Sequence, residues 1–74
     1  MNIIQSTNEY DALLKDNQSV FVDFYADWCG PCKMVGPLVE ELSKEYTDIK
    51  FVKVNVDNTP DIAQRYGIMS IPTL

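Results

Sequence analysis

The chain has 74 residues, 46% of them hydrophobic, with 6 basic against 11 acidic side chains and a net charge of −5. That is room for one small domain over residues 1–74 with enough apolar content for a core. The acidic balance argues against nucleic acid and against anionic membrane surfaces, because neither has a basic patch to meet it. No run approaches the about 18 apolar residues of a membrane span. The N-terminal segment MNIIQSTNEY has neither a basic n-region nor a long apolar stretch, so no secretory signal is expected. Two cysteines without such a signal point to a reducing compartment, and a cytoplasmic location is expected. The absence of histidine removes Cys-His catalysis and imidazole metal sites.

In chain order, Ile3-Ile4 reads as a short strand. Ser6-Thr7-Asn8-Glu9 is a capping box, with Ser6 capping and Glu9 reaching back. It opens a helix whose apolar face holds Tyr10, Leu13 and Leu14. Asp16-Asn17-Gln18-Ser19 is a polar break. Val20 to Ala26, VFVDFYA, is rich in β-branched and aromatic residues and predicts a central buried strand. From Cys32 the period changes: Met34, Val35, Leu38, Val39, Leu42 and Tyr46 recur at helical spacing. Pro37 inside that helix has no N–H to donate and predicts a kink. Ile49 to Val56, IKFVKVNV, is a second strong strand. Asn58-Thr59-Pro60 starts a short helix with proline in its first turn, and Gly67 is positioned to stop it. Strand and helix alternate three times, which implies an α/β fold of βαβαβα order with parallel central strands.

The chemistry concentrates in Asp27-Trp28-Cys29-Gly30-Pro31-Cys32-Lys33, which holds both cysteines. One reading is a structural bridge. It closes a loop of four residues, for about 2 kcal/mol on a chain-entropy estimate, and ties points already close in sequence. A second is half of a zinc or iron–sulfur site, whose other half is absent unless a dimer shares four thiolates. The third is redox exchange. Cys29 falls at the N-terminus of the long helix, where the dipole and unpaired N–H groups favour a thiolate, the nucleophile of thiol–disulfide exchange. Cys32, one turn further in, is expected to be more buried and to act as the resolving thiol. Gly30 and Pro31 keep the turn tight.

Two charged residues interrupt the apolar strands. Asp23 shares a face with Phe21 and Tyr25, and a lone buried carboxylate must raise its pKa or find a partner. Lys53 is the comparable residue of the next strand and meets Asp23 if the strands are neighbours. The pair reads either as a buried ion pair or as part of a proton path. Trp28 reads either as core or as a partly exposed platform beside the nucleophile. Pro72, after Ile71, reads as a turn proline.

The run VDFYADWCGPCKM, with IPT near the end, closely resembles the bacterial type of the thioredoxin family, and the likeness extends along the whole chain. The resemblance implies a protein dithiol–disulfide oxidoreductase without cofactor or metal, acting on protein disulfides and served by a thioredoxin reductase. It implies Cys29 as nucleophile, Cys32 as resolving thiol and Asp23 as proton relay with Lys53 as its partner. Trp28, Gly30, Pro31, Ile71 and Pro72 become substrate-binding positions, Pro72 with a cis peptide bond. Gly36 stands where alanine is usual and Tyr25 where tryptophan is frequent. Family members continue past IPTL with two antiparallel strands and a helix. On that comparison the chain is a thioredoxin-like portion lacking a C-terminal ββα segment. The VFVDFYA strand is then expected at an edge, with an apolar face uncovered. Two expectations follow: a disulfide reductase, or a truncated module without full activity that self-associates as a homo-oligomer or binds a partner segment.

Overall fold

The computed structural model describes residues 2–73. Six elements follow in the order β1 (Asn2–Ile3), α1 (Thr7–Asp16), β2 (Val20–Tyr25), α2 (Gly30–Glu45), β3 (Lys50–Asn55) and α3 (Pro60–Arg65). The strands form a parallel sheet in the order β1-β3-β2. This is the α/β alternation the sequence predicts, with strand ends one residue shorter at Ala26, Ile49 and Val56. β1 begins one residue earlier than expected, and the Ile4 N–H still donates to the Lys53 carbonyl at 2.8 Å.

The helix ends follow local chemistry. Ser6 accepts from the Glu9 N–H at 3.1 Å, while Glu9 reaches back to the Gln5 N–H rather than to that of Ser6. At the end of α3, the Ile68 N–H reaches the Ala63 carbonyl and the Gly67 N–H reaches that of Gln64. Gly67 holds φ at 62°, the left-handed conformation this cap requires and glycine adopts without penalty.

The pleat sends alternate residues to opposite faces. Val20, Val22 and Phe24 of β2 and Val52 and Val54 of β3 face α1 and α3, where Ile4, Tyr10 and Ile62 complete the main core. Phe21, Asp23 and Tyr25 face the side of α2, opposite Phe51, Lys53 and Asn55 of β3. Phe21 and Phe51 stack with ring centroids 4.9 Å apart. β2 is the outer strand of this sheet, as expected. Its open side is not bare, however. Phe24 pairs antiparallel with Thr73, exchanging hydrogen bonds of 2.8 and 3.3 Å. No helix among the described residues is long and apolar enough to cross a membrane.

Candidate active site

The parallel strands aim their C-terminal ends, and the loops that follow, at one edge of the sheet. The loop after β2 carries Asp27, Trp28 and Cys29. The loop after β3 carries Val56, Asp57, Asn58 and Thr59. The turn after α3 brings Ile71 and Pro72 to the same edge, where Ile71 packs on Ala26, Cys29 and Cys32.

Cys29 and Cys32 form a disulfide, with Cα atoms 5.3 Å apart. Cys29 is the N-cap of α2, and its Sγ accepts from the Cys32 N–H at 3.2 Å. The helix N-terminus therefore points at the sulfur predicted to be the nucleophile. Gly30 and Pro31 supply the first positions of the helix, where a missing N–H is harmless. The expected difference in burial is not found: Cys29 is 4% exposed and Cys32 7%. The bond to Cys32 turns the Cys29 sulfur inward, against Ala26 and Ile71. The Ile71–Pro72 peptide bond is cis, so Pro72 is not the ordinary turn proline that the local sequence suggests. Among the described residues no cluster of histidine, cysteine or carboxylate side chains has the makings of a metal site.

Asp23 is 2% exposed, and its Oδ1 has no hydrogen-bond partner among the described residues. Burial pushes its carboxyl above the usual range, and the charge of Lys53 opposes that shift. The two residues are directly opposite in the β2–β3 register. They do not close into the ion pair that was one expectation. The Lys53 ammonium lies instead over the Tyr25 ring, 4.4 Å from its centre, a cation–π contact that draws it away from the carboxylate. Lys53 and Tyr25 line an open cavity of about 450 Å³ beneath α2, together with Cys32, Lys33, Gly36 and Glu40. The cavity reaches Cys32 beside Lys53, while Asp23 lies buried behind it and does not line it.

Trp28 is 70% exposed, which removes the core reading. Its indole N–H donates to Asp57 Oδ2 at 2.8 Å. A groove of about 330 Å³ runs from Trp28 past Val56 and Ile68 to Met69 and Ile71. Sequence reasoning missed Asp57 and Asn55. Asn55 is buried, and its Oδ1 accepts from the Asp57 N–H at 2.9 Å, while its Nδ2 faces Asp27 Oδ1 at 3.5 Å. The available signal was an asparagine at a strand end followed two residues later by aspartate, the pattern of an Asx turn.

A family model described as thioredoxin matches residues 2–74. Thioredoxin of Mycoplasmoides gallisepticum is 50% identical over 74 residues, which span 100% of this chain and 74% of that protein. Thioredoxin 1 of Plasmodium falciparum is 44% identical over 73 residues, spanning 99% of this chain and 70% of that one. Among solved structures, Plasmodium falciparum thioredoxin superposes with a TM-score of 0.94 at 43% identity, covering 97% of this chain and 71% of that one. The oxidised form of mitochondrial thioredoxin 3 from Saccharomyces cerevisiae gives 0.92 at 40% identity, with 97% and 68% covered.

Proposed function

Because the chain belongs to the thioredoxin family, we propose that its dithiol–disulfide exchange runs through Cys29 as nucleophile and Cys32 as resolving thiol. The observation that carries the assignment is the cap of α2, where the Cys29 sulfur accepts the Cys32 N–H at the positive end of a helix of 16 residues. An anion is favoured at that position, and the thiolate is the attacking species.

In the reduced protein, the Cys29 thiolate attacks one sulfur of a substrate disulfide. A mixed disulfide forms, and the other substrate sulfur leaves as a thiolate and takes a proton. Cys32 then gives its proton to the Asp23 carboxylate and attacks the Cys29 sulfur. The Cys29–Cys32 bond closes, and the substrate leaves with both sulfurs reduced. Two electrons have passed from this chain to the substrate, and an external reductant, by family a thioredoxin reductase, restores the dithiol. The unpartnered Asp23 oxygen and its raised pKa support the proton-acceptor role. Lys53, opposite Asp23, holds that pKa from rising further. Gly30, Pro31, Ile71 and Pro72 frame the sulfurs, and the apolar groove of Trp28 seats the substrate segment beside its cysteine. The substrates are proteins rather than nucleic acid or lipid, which suits a chain of net charge −5. A reducing compartment such as the cytoplasm suits a working dithiol.

A homo-oligomer is part of the same reading. It is supported by Met34, Leu38 and Leu42 of α2 and its C-cap Tyr46, spaced four apart and all exposed.

The test is reduction of insulin by dithiothreitol with this chain as catalyst. The parent accelerates it, and Cys29→Ser removes the acceleration. Cys32→Ser retains the first step and accumulates mixed disulfides through Cys29. Brief iodoacetamide treatment of the reduced protein labels Cys29 first. Preferential labelling of Cys32, or trapping through neither sulfur, overturns the assignment.

A further inference from the structure

We propose that Asn55 is a positioning residue for the exchange reaction, acting through Asp57 to set the orientation of Trp28 beside the cysteines; the proposal rests on the disulfide-exchange reading above. Asn55 is 3% exposed, yet it is a polar residue at the end of an apolar strand. Its side chain joins the two loops that build the site. On one side its Oδ1 accepts from the Asp57 N–H at 2.9 Å, and Asp57 Oδ2 in turn accepts the Trp28 indole N–H at 2.8 Å. On the other, its Nδ2 faces Asp27 Oδ1, on the residue just before Trp28, at a longer 3.5 Å. Its carbonyl also accepts from the Asn58 and Thr59 N–H groups and from the Thr59 hydroxyl, at 3.1, 3.1 and 3.2 Å. The loop after β3 is thus wound around a single residue.

An exposed indole has little packing to hold it. Trp28 keeps one orientation only as far as its N–H bond to Asp57 does, and Asp57 is itself exposed. Its backbone is fixed by the buried Asn55 acceptor. Removing that acceptor frees the Asp57 backbone, and the carboxylate no longer meets the indole at a fixed point. Trp28 also forms one wall of the groove. The loss should therefore be felt in substrate binding more than in the chemistry at sulfur.

The chain has a single tryptophan, so its fluorescence reports this residue alone. In Asn55→Ala, Trp28 emission is expected to shift toward that of Asp57→Ala. KM for a protein disulfide is expected to rise about three- to tenfold, the worth of one hydrogen bond, with kcat changed less than about twofold. The double variant Asn55→Ala/Asp57→Ala is expected to be no worse than Asp57→Ala in either readout, because the two act in series. Asn55→Ser, whose hydroxyl makes the same turn more weakly, falls between parent and alanine variant. Should Asn55→Ala fail to fold, the serine variant carries the same double-variant comparison. Multiplicative losses in the double variant, or Trp28 emission unchanged from the parent, would overturn the proposal. The fluorescence arm needs no turnover. Its failure is therefore distinct from failure of the exchange reading, which would appear as an inactive parent.

Discussion

Asp23 shows how one residue carries two opposed demands. A carboxyl with 2% exposure and an unpartnered oxygen is a cost to the fold whenever it is ionised. Its folded pKa lies above the unfolded value of 3.8. The protonated form is therefore the one the fold tolerates. The stability it allows is complete below about pH 4 and is lost as the pH rises through the folded pKa. Asp23→Asn, which keeps the shape without the charge, should raise the thermal midpoint at pH 7. The gain should shrink to nothing as the pH falls through about 4. The same substitution removes the proton acceptor for Cys32 and should slow insulin reduction at neutral pH by about tenfold or more. Thermal melts over pH 3–8 beside turnover at pH 7 test both halves. A variant that is destabilised at every pH would show that the carboxylate is structural.

Among the elements, α2 carries two residues unfavourable to a helix interior. Pro37 interrupts the hydrogen-bond ladder, and Gly36 precedes it. Among the described residues, a methyl group built on Gly36 meets no atom within 4 Å beyond its chain neighbours and its own helix backbone. Alanine is worth about 1 kcal/mol over glycine in a helix interior, but a residue before proline is crowded by the ring in helical backbone. Gly36→Ala is expected to stabilise by about 0.5 kcal/mol, a rise of roughly 2–4 °C in a domain of this size. A fall in the thermal midpoint would mean that the proline clash dominates.

Tyr66, the C-cap of α3, meets α1 through Tyr10. The hydroxyls of Tyr10 and Tyr66 meet at 2.7 Å, with the rings edge to face. Tyr10 is buried and Tyr66 half exposed. Deleting the Tyr10 hydroxyl leaves the Tyr66 hydroxyl able to turn to water. Deleting that of Tyr66 strands the buried Tyr10 hydroxyl. Tyr10→Phe should therefore cost about 0.5–1.5 kcal/mol and Tyr66→Phe about 1–3 kcal/mol, an asymmetry that urea melts would resolve. Burial and the Tyr66 bond also push the Tyr10 phenol well above its usual range. Its contribution is full below about pH 10 and is lost as the pH rises beyond. The neighbouring Arg65–Asp11 pair, 2.7 Å apart, is exposed and adds little.

The whole molecule is asymmetric across its sheet. One face holds a continuous core from Ile4 and Tyr10 to Ile62. The other holds, among the described residues, α2, a small cluster around Ala26, Cys29 and Cys32, and the open cavity. That asymmetry leaves the row of Met34, Leu38, Leu42 and Tyr46 exposed. An antiparallel twofold pairing of two α2 helices would cover the row. Sedimentation equilibrium at micromolar concentration should show self-association that Leu38→Glu weakens. A monomer with a sharp thermal transition would refute it. The β2 edge is the lesser site, since Thr73 already pairs with Phe24.

The order of elements, the parallel sheet and the position of Cys29 at a helix start were legible in the chain, because each rests on local periodicity and capping. The same local signals marked Asp23 as anomalous, since a carboxylate in an apolar strand is visible without coordinates. What neighbours it was not visible. Register alone places Lys53 opposite, yet the ammonium lies over Tyr25, because a flexible side chain chooses among partners that only the packed sheet brings together. The equal burial of the two sulfurs depends on the bond between them and on Ile71, which is 39 residues beyond Cys32 in sequence. The chain of contacts from Asn55 through Asp57 to Trp28 joins loops that follow different strands. Local sequence determines which groups are present and which backbone conformation they adopt; tertiary structure decided which of them meet, because those contacts are set by side chains converging from separate elements.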